Sequence, residues 1–265
     1  MEDLSFRLGD HGRYLAYGIS KMKQGIFTSL LCISVFCGCD PKPTHNTQAE
    51  LEKEMVNAAP WSSINDWLNV NAPKIAGNLN PPATDEQIAA TEAEIGIKMP
   101  DDWRQLYKTH NGMNHDSNFG SLFYGIEFLS LDKVKSEYES SVDLSADSKF
   151  PVKSTNASIN TSDMNNPKWI ALAHDGSGNM IRVDMDPGEN GQSGQVIFAD
   201  IDSDVVILLA ASIDQFLHNF AADLQSGKYH LAEDALKEGD EYLNCVPEID
   251  VINWVSSPKW KELDQ

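Results

Sequence analysis

The chain has 265 residues and a formal net charge of −20, room for one large domain or one domain with extensions. Its 20 Lys and Arg stand against 40 Asp and Glu, and no basic cluster supplies the face that a nucleic-acid binder needs. No nucleic-acid partner is expected, and the acidity fits either plain solubility or an acidic face that meets a basic protein.

Lys21, Met22 and Lys23 precede an apolar run over residues 25–36, which ends in Val35-Phe-Cys-Gly-Cys39. A short positive region and such a run form the secretory pattern, too short to span a bilayer comfortably. Met22 is a natural start for it, and residues 1–21 read as an upstream extension. The junction Gly38-Cys39 resembles a bacterial lipoprotein signal, although Phe36 departs from the usual Leu. That resemblance implies a lipid anchor on Cys39, a membrane association and a bacterial cell-envelope location. Asp40 implies an inner-membrane position facing the periplasm. Residues 1–38 are thus expected to be extension plus signal, and residues 39–60, polar with Pro41 and Pro43, a tether. With Cys32, Cys37 and Cys39 so used, Cys245 stands alone between Leu243 and Val246 and reads as a packed thiol.

From Trp61 onward the pattern is that of a folded domain. Ile64, Trp67 and Leu68 recur at helical spacing, with Ser62 or Ser63 as the cap. Thr84-Asp-Glu-Gln87 is a capping box that opens a helix through Ile88, Thr91 and Ile95 and stops at Gly96. Pro100 precedes a helix with Trp103, Leu106 and Tyr107 on one face, ended by Asn111-Gly112. Residues 122–129 read as a strand. Ser130 then caps a short helix with Leu131, Val134 and Tyr138. Residues 140–166, rich in Ser, Asp and Asn, read as a long mobile surface insertion.

Residues 168–227 carry the plan of the domain. Four β-branched-rich runs (169–173, 180–184, 195–200 and 205–209) are separated by Gly, Asn and Asp turns, which predicts an antiparallel meander. A helix opening at Ser212 follows, with Ile213, Phe216, Leu217, Phe220 and Leu224 in one apolar stripe and Gly227 at its end. A sheet with helices packed across it is an α+β fold. The tail over residues 229–265 is expected to be mainly helical.

Several blocks fall in the order of a known family. They are the capped helix, Gly96-Ile-Lys-Met-Pro-Asp-Asp-Trp103, His110-Asn-Gly112, Tyr124-Gly-Ile-Glu-Phe-Leu129, the run from Trp169 through His174-Asp-Gly-Ser-Gly-Asn179, and Ala211-Ser-Ile-Asp-Gln-Phe-Leu217. The order resembles the SUKH superfamily with its Smi/Knr-type wall-assembly regulators, over residues 80–228 of an expected 61–228 domain. The resemblance implies a mainly antiparallel sheet with helices packed against it and a non-catalytic, protein-binding role. In bacteria that role is immunity, the neutralisation of a toxin domain. In fungi it is a scaffold in wall-stress signalling. The first is the leading expectation here, and a wall-maintenance factor, either scaffold or glycan binder, is the alternative. Exposed Trp254 and Trp260 would favour the glycan binder.

Trp103, Gly112, Trp169, Asp175, Gly176, Gly178, Ser212 and Phe216 carry the family motifs and read as structural: core anchors, turn glycines, a turn-forming Asp and a cap. Asp200-x-Asp202-x-Asp204 lacks the Gly and final Glu of an EF-hand loop. The histidines do not cluster at ligand spacing, so no metal, cofactor or catalytic set is expected. Asp184, Asp186, Glu189, Asp200, Asp202 and Asp204 flank meander turns and are the candidate partner-facing set, on the expectation that they share one rim.

Overall fold

The computed structural model describes residues 60–115, 121–147, 149–154 and 156–260. Its centre is a five-stranded open antiparallel sheet in sequence order: β1 (Glu127–Phe128), β2 (Trp169–His174), β3 (Met180–Asp184), β4 (Gln195–Asp200) and β5 (Val205–Ala210). The fold is α+β, and the four-run meander is present as read. Register breaks at Ala171/Ala173 and at Val196/Ile197, which are bulge positions that add twist. β3 and β4 are buried along their whole length, because both faces of the sheet are covered.

One face carries Ile181, Val183, Val196, Phe198 and Ile207 into the main core. Over it lie α1 (Pro60–Asn71), the short α2 (Pro73–Gly77), α4 (Asp101–Thr109) and α6 (Ile213–Gln225). α3 (Asp85–Ile95) packs with α5 (Leu131–Asp147), which also reaches β2. Aromatic rings fill the centre. Phe123 lies 5.0 Å from Phe216 and 5.1 Å from Phe220, and Tyr107 bridges Trp103 at 4.5 Å to Phe128 at 5.3 Å. The tilted and edge-on pairs among them suit the ring quadrupoles.

Local signals decide the helix ends. Thr84 Oγ1 accepts from the Gln87 amide at 3.2 Å while Gln87 Oε1 accepts from the Thr84 amide at 2.8 Å, and Gly96 closes α3 at φ +68. Ser212 Oγ accepts from the Gln215 amide at 3.1 Å, but the Gln215 side chain turns to Asn219, so only half of a capping box forms there. α1 opens at Pro60, which places Ser62 and Ser63 inside the helix rather than at its cap.

Three expected segments differ. Residues 122–129 are not one strand. Tyr124 (φ +54) and Gly125 (φ +80) form a tight turn that brings Phe123 back against Ile126, so only Glu127–Phe128 joins the sheet. Two consecutive positive φ values are the hairpin-turn geometry. Nor are residues 140–166 a loose insertion. α5 runs to Asp147, and beyond it Val152, Ile159 and Met164 pack with Trp169, Ile197, Ala199 and Val206 in a second core on the other face. The polar residues brace this segment: Asp163 Oδ1 accepts from the Phe150 and Asn165 amides, and Asn156 Oδ1 accepts from Ser158. Such local side-chain-to-backbone bonds replace regular structure.

The tail also departs from expectation. It holds β6 (Tyr229–Leu231) paired with β7 (Leu243–Cys245), and between them only the six-residue α7 (Glu233–Glu238). Turns follow, with Trp254 5% and Trp260 6% exposed.

Arg182 on β3 is buried beneath the 149–166 segment. Among the described residues its Nη1 reaches only the Met164 carbonyl at 3.5 Å and its Nε has no partner, and burial lowers its pKa to about 10 against the pull of Glu137. A buried cation so weakly paired costs more than an apolar side chain of similar volume. Arg182→Met is therefore expected to leave stability unchanged or raise it by about 1 kcal/mol. A lower urea midpoint in the variant would contradict this.

Candidate partner-binding surface

The six candidate acidic residues do not share one rim. β3 and β4 pair Asp184 with Gln195 and Met180 with Ala199, so residues 184–189 and 200–204 sit at opposite ends of the sheet. Half of the six are structural braces, two of them buried and Asp186 half-buried. Asp184 is fully buried, and its carboxylate accepts from the Asp186 amide and from Gln195 Nε2, each at 2.8 Å. Burial raises its pKa, against those hydrogen bonds. Asp186 accepts from Asn160, Asn166 and Lys168. Asp200, also buried, accepts from the Asp202 and Ser203 amides at 3.0 Å and from Trp254 Nε1 at 2.8 Å. Glu189, Asp202 and Asp204 stand exposed.

The family-motif residues occupy core and turn positions. Trp103, Trp169 and Phe216 are buried, Gly112, Gly176 and Gly178 hold positive φ, and Ser212 caps α6. Asp175 organises the β2–β3 turn. Its carboxylate accepts from the amides of Ser177, Gly178 and Asn179, from the Ser177 hydroxyl and from Asn179 Nδ2. Burial alone would raise its pKa, but the Ser177 and Asn179 bonds and the nearby His174 outweigh it and hold the carboxyl below its usual value. A lowered folded-state pKa stabilises above the unfolded value and is lost as pH falls through the folded one. Asp175→Asn is expected to cost about 1 kcal/mol at neutral pH, with the gap to wild type closing as pH drops through and below the usual carboxylate range. A gap constant from pH 7 to 3 would contradict the assignment.

This turn is tied to its neighbours. Asn179 Oδ1 accepts from the Ile201 amide at 3.1 Å, which links the β2–β3 and β4–β5 turns. Trp254 clamps Asp200 from the tail, and Tyr242 donates its hydroxyl to the Gly125 carbonyl at 2.8 Å. One end of the sheet is thus a rigid assembly of three turns and two tail aromatics. On it Ile201 is 43% exposed, Tyr242 41% and Val255 62%, near the exposed carboxylates Asp202 and Asp204, which form no ion pair among the described residues. Apolar side chains held rigid in a charged surround are the composition of a protein-contact surface. A turn at residues 200–204 was legible in the sequence, although its aspartates stood out there rather than Ile201. The tail's contribution was not legible, because it depends on contacts more than 50 residues apart.

Among the described residues no three His, Cys, Asp or Glu are placed to hold a metal ion. Burial, reinforced by Asp250, pushes the Cys245 thiol up to about 12, the state of a packed thiol rather than a nucleophile. Among the described residues no helix is long and apolar enough to cross a membrane. Residues 1–38, Cys39 and the expected tether up to residue 59 lie outside the described residues, while Pro60, its last expected residue, opens α1.

The chain is 26% identical over 219 residues to the "Cell wall assembly regulator SMI1" of Saccharomyces cerevisiae, covering 69% of this chain and 43% of that protein. It is 28% identical over 187 residues to the "Cell wall biosynthesis/cell cycle regulator smi1" of Schizosaccharomyces pombe (66% and 37%). A "Glucan synthesis regulatory protein" of Neurospora crassa matches at 24% over 212 residues (67% and 40%). The chain spans less than half the length of these relatives. Their fungal origin overturns the expected bacterial, lipid-anchored envelope location and points to a eukaryote. The model of the SMI1 / KNR4 family (SUKH-1) matches residues 82–219, inside the 80–228 span that the motifs marked out, and the chain belongs to that family.

Proposed function

We propose that the chain is a non-catalytic regulator of cell wall assembly that acts by binding other proteins through the sheet end bearing Ile201, Tyr242 and Val255. The observation that carries this reading is its membership of a family whose named relatives regulate wall assembly and glucan synthesis. The exposed apolar side chains at a rigid, acidic sheet end support protein contact as the means. Trp254 and Trp260, which a glycan binder would expose, are buried and hydrogen-bonded, so glycan stacking on them is not part of the proposal. Toxin neutralisation finds no support among the named relatives.

The reading is tested with a photo-crosslinking amino acid at Ile201 in the full chain, expressed in S. cerevisiae, with Val70 on α1 as the control position. Adducts from Ile201 to a wall-synthesis protein, absent from Val70, are expected. Equal labelling from both positions, or none from Ile201, would overturn it.

A further inference from the structure

The tail carries a feature outside the span that the family model matches. α7 and β7 enclose an open cleft of about 360 Å³ lined by Ala232, Asp234, Ala235, Glu238, Tyr242 and Asn244. One wall is the Tyr242 ring, fixed by the hydroxyl bond to the Gly125 carbonyl and by the Ala232 amide, which donates to the Tyr242 carbonyl at 2.8 Å. Leu236, 50% exposed, stands on the same short helix.

Asp234 and Glu238 are four residues apart, so their carboxylates lie on one helix face and repel each other. Neither forms an ion pair among the described residues, and the helix's own cation, Lys237, lies 4.0 Å from Glu233 instead. The cleft therefore combines a fixed aromatic face, two carboxylates without an ion pair among the described residues, the Asn244 amide and an apolar margin, with the Lys74 ammonium held outside it on the Gly239 carbonyl. A divalent ion would find only two carboxylates, with no third His, Cys, Asp or Glu placed to join them among the described residues. A planar cation on a long stem uses every part: guanidinium stacks on an aromatic ring and pairs with carboxylates, while its methylenes lie along apolar surface. The volume is at the lower end of small-ligand sites and suits one long side chain with its flanking backbone.

We infer that this cleft docks an arginine-bearing segment of a protein partner, and the inference rests on the protein-binding reading above. The cleft lies beyond residues 82–219 and adjoins the sheet end through Tyr242, so an arginine seated there adds selectivity to contacts made by Ile201.

The test is an NMR titration of the full chain with a blocked tripeptide, arginine between two leucines, and with its uncharged citrulline analogue. Saturable shifts of the Tyr242 ring and the Asn244 side-chain amide are expected. Binding should weaken at least tenfold with citrulline or in the D234N/E238Q variant. The D85N/E86Q variant removes the same charge from α3 and is expected to bind as wild type does. If it weakens binding as much as the cleft variant, or if Tyr242 and Asn244 do not shift, the inference is overturned. The two proposals fail separately. Crosslinking from Ile201 to a wall-synthesis protein with a silent cleft removes only the cleft. A responsive cleft without that adduct removes only the wall reading.

Discussion

A chain ended after residue 228 is expected not to form a stable, cooperatively folding domain, although it keeps the whole span that the family model matches. The removed segment places Tyr229, Leu243, Ile249, Val251, Trp254 and Trp260 in the main core. Truncating a buried aromatic to Ala costs about 3–5 kcal/mol, and a whole domain is stable by only about 5–15 kcal/mol. The two tryptophans alone are therefore comparable with the total. Polar anchors go as well. Glu241 accepts from the Lys74 and Ile75 amides, Ser121 Oγ accepts from the Leu243 amide, and Trp254 donates to Asp200. Near-ultraviolet circular dichroism with a urea titration is the readout, and a cooperative transition close to that of the full chain would contradict the expectation. Trp254→Phe is the mild counterpart. It keeps most of the packing, removes the bond to Asp200, and should cost about 1–2 kcal/mol.

Gly112→Ala is expected to cost about 3 kcal/mol or more, from strain at a left-handed backbone conformation added to overpacking. Gly112 holds φ +69, and a Cβ there would overlap the Ser130 nitrogen and the Leu129 carbonyl. The strands of contact cannot part without breaking two backbone bonds, Asn80 to Gly112 and Met113 to Phe128, at 2.9 and 2.8 Å. Gly176 also has positive φ, but nothing lies within 4 Å of a Cβ at that position. Gly176→Ala should therefore show the conformational cost alone, about 1 kcal/mol. Thermal melts of the two variants side by side separate collision from strain, and equal losses would contradict the account.

These residues also show what the sequence reveals and what it hides. The α3 box, the α6 stripe and the four-run meander are local signals, and the structure keeps them. The tight turn within residues 122–129 was hidden because its first residue is Tyr124, a side chain that seldom takes positive φ. The 149–166 segment was hidden because Asn, Asp and Ser look alike whether they face water or brace a backbone, and here they brace. The tail was read as helical from its apolar spacing, but pairing with β6 and docking on the Tyr124-Gly125 turn decided its form.

The acidic set is more instructive. Successive turns of a meander alternate between the two ends of a sheet, so the sequence already contained the reason that residues 184–189 and 200–204 cannot share a rim. What it could not supply was burial. Asp184 and Asp200 are the same residue type as Asp202 and Asp204, yet the first two are internal acceptors and the second two face solvent. On the sheet end, only the latter pair is free to meet a partner.

A role for this chain in wall assembly, as proposed above, has a direct functional readout. It is tested most directly by expressing it in S. cerevisiae cells that lack the "Cell wall assembly regulator SMI1" and measuring wall resistance to a glucan-digesting enzyme. Because the chain covers 43% of that protein, the matching segment of the yeast regulator is expressed in parallel. The chain is expected to restore resistance to the level of that segment, and replacing Ile201 and Val255 by Asp is expected to abolish the effect. A stably expressed chain that restores nothing, where the yeast segment does, would contradict it.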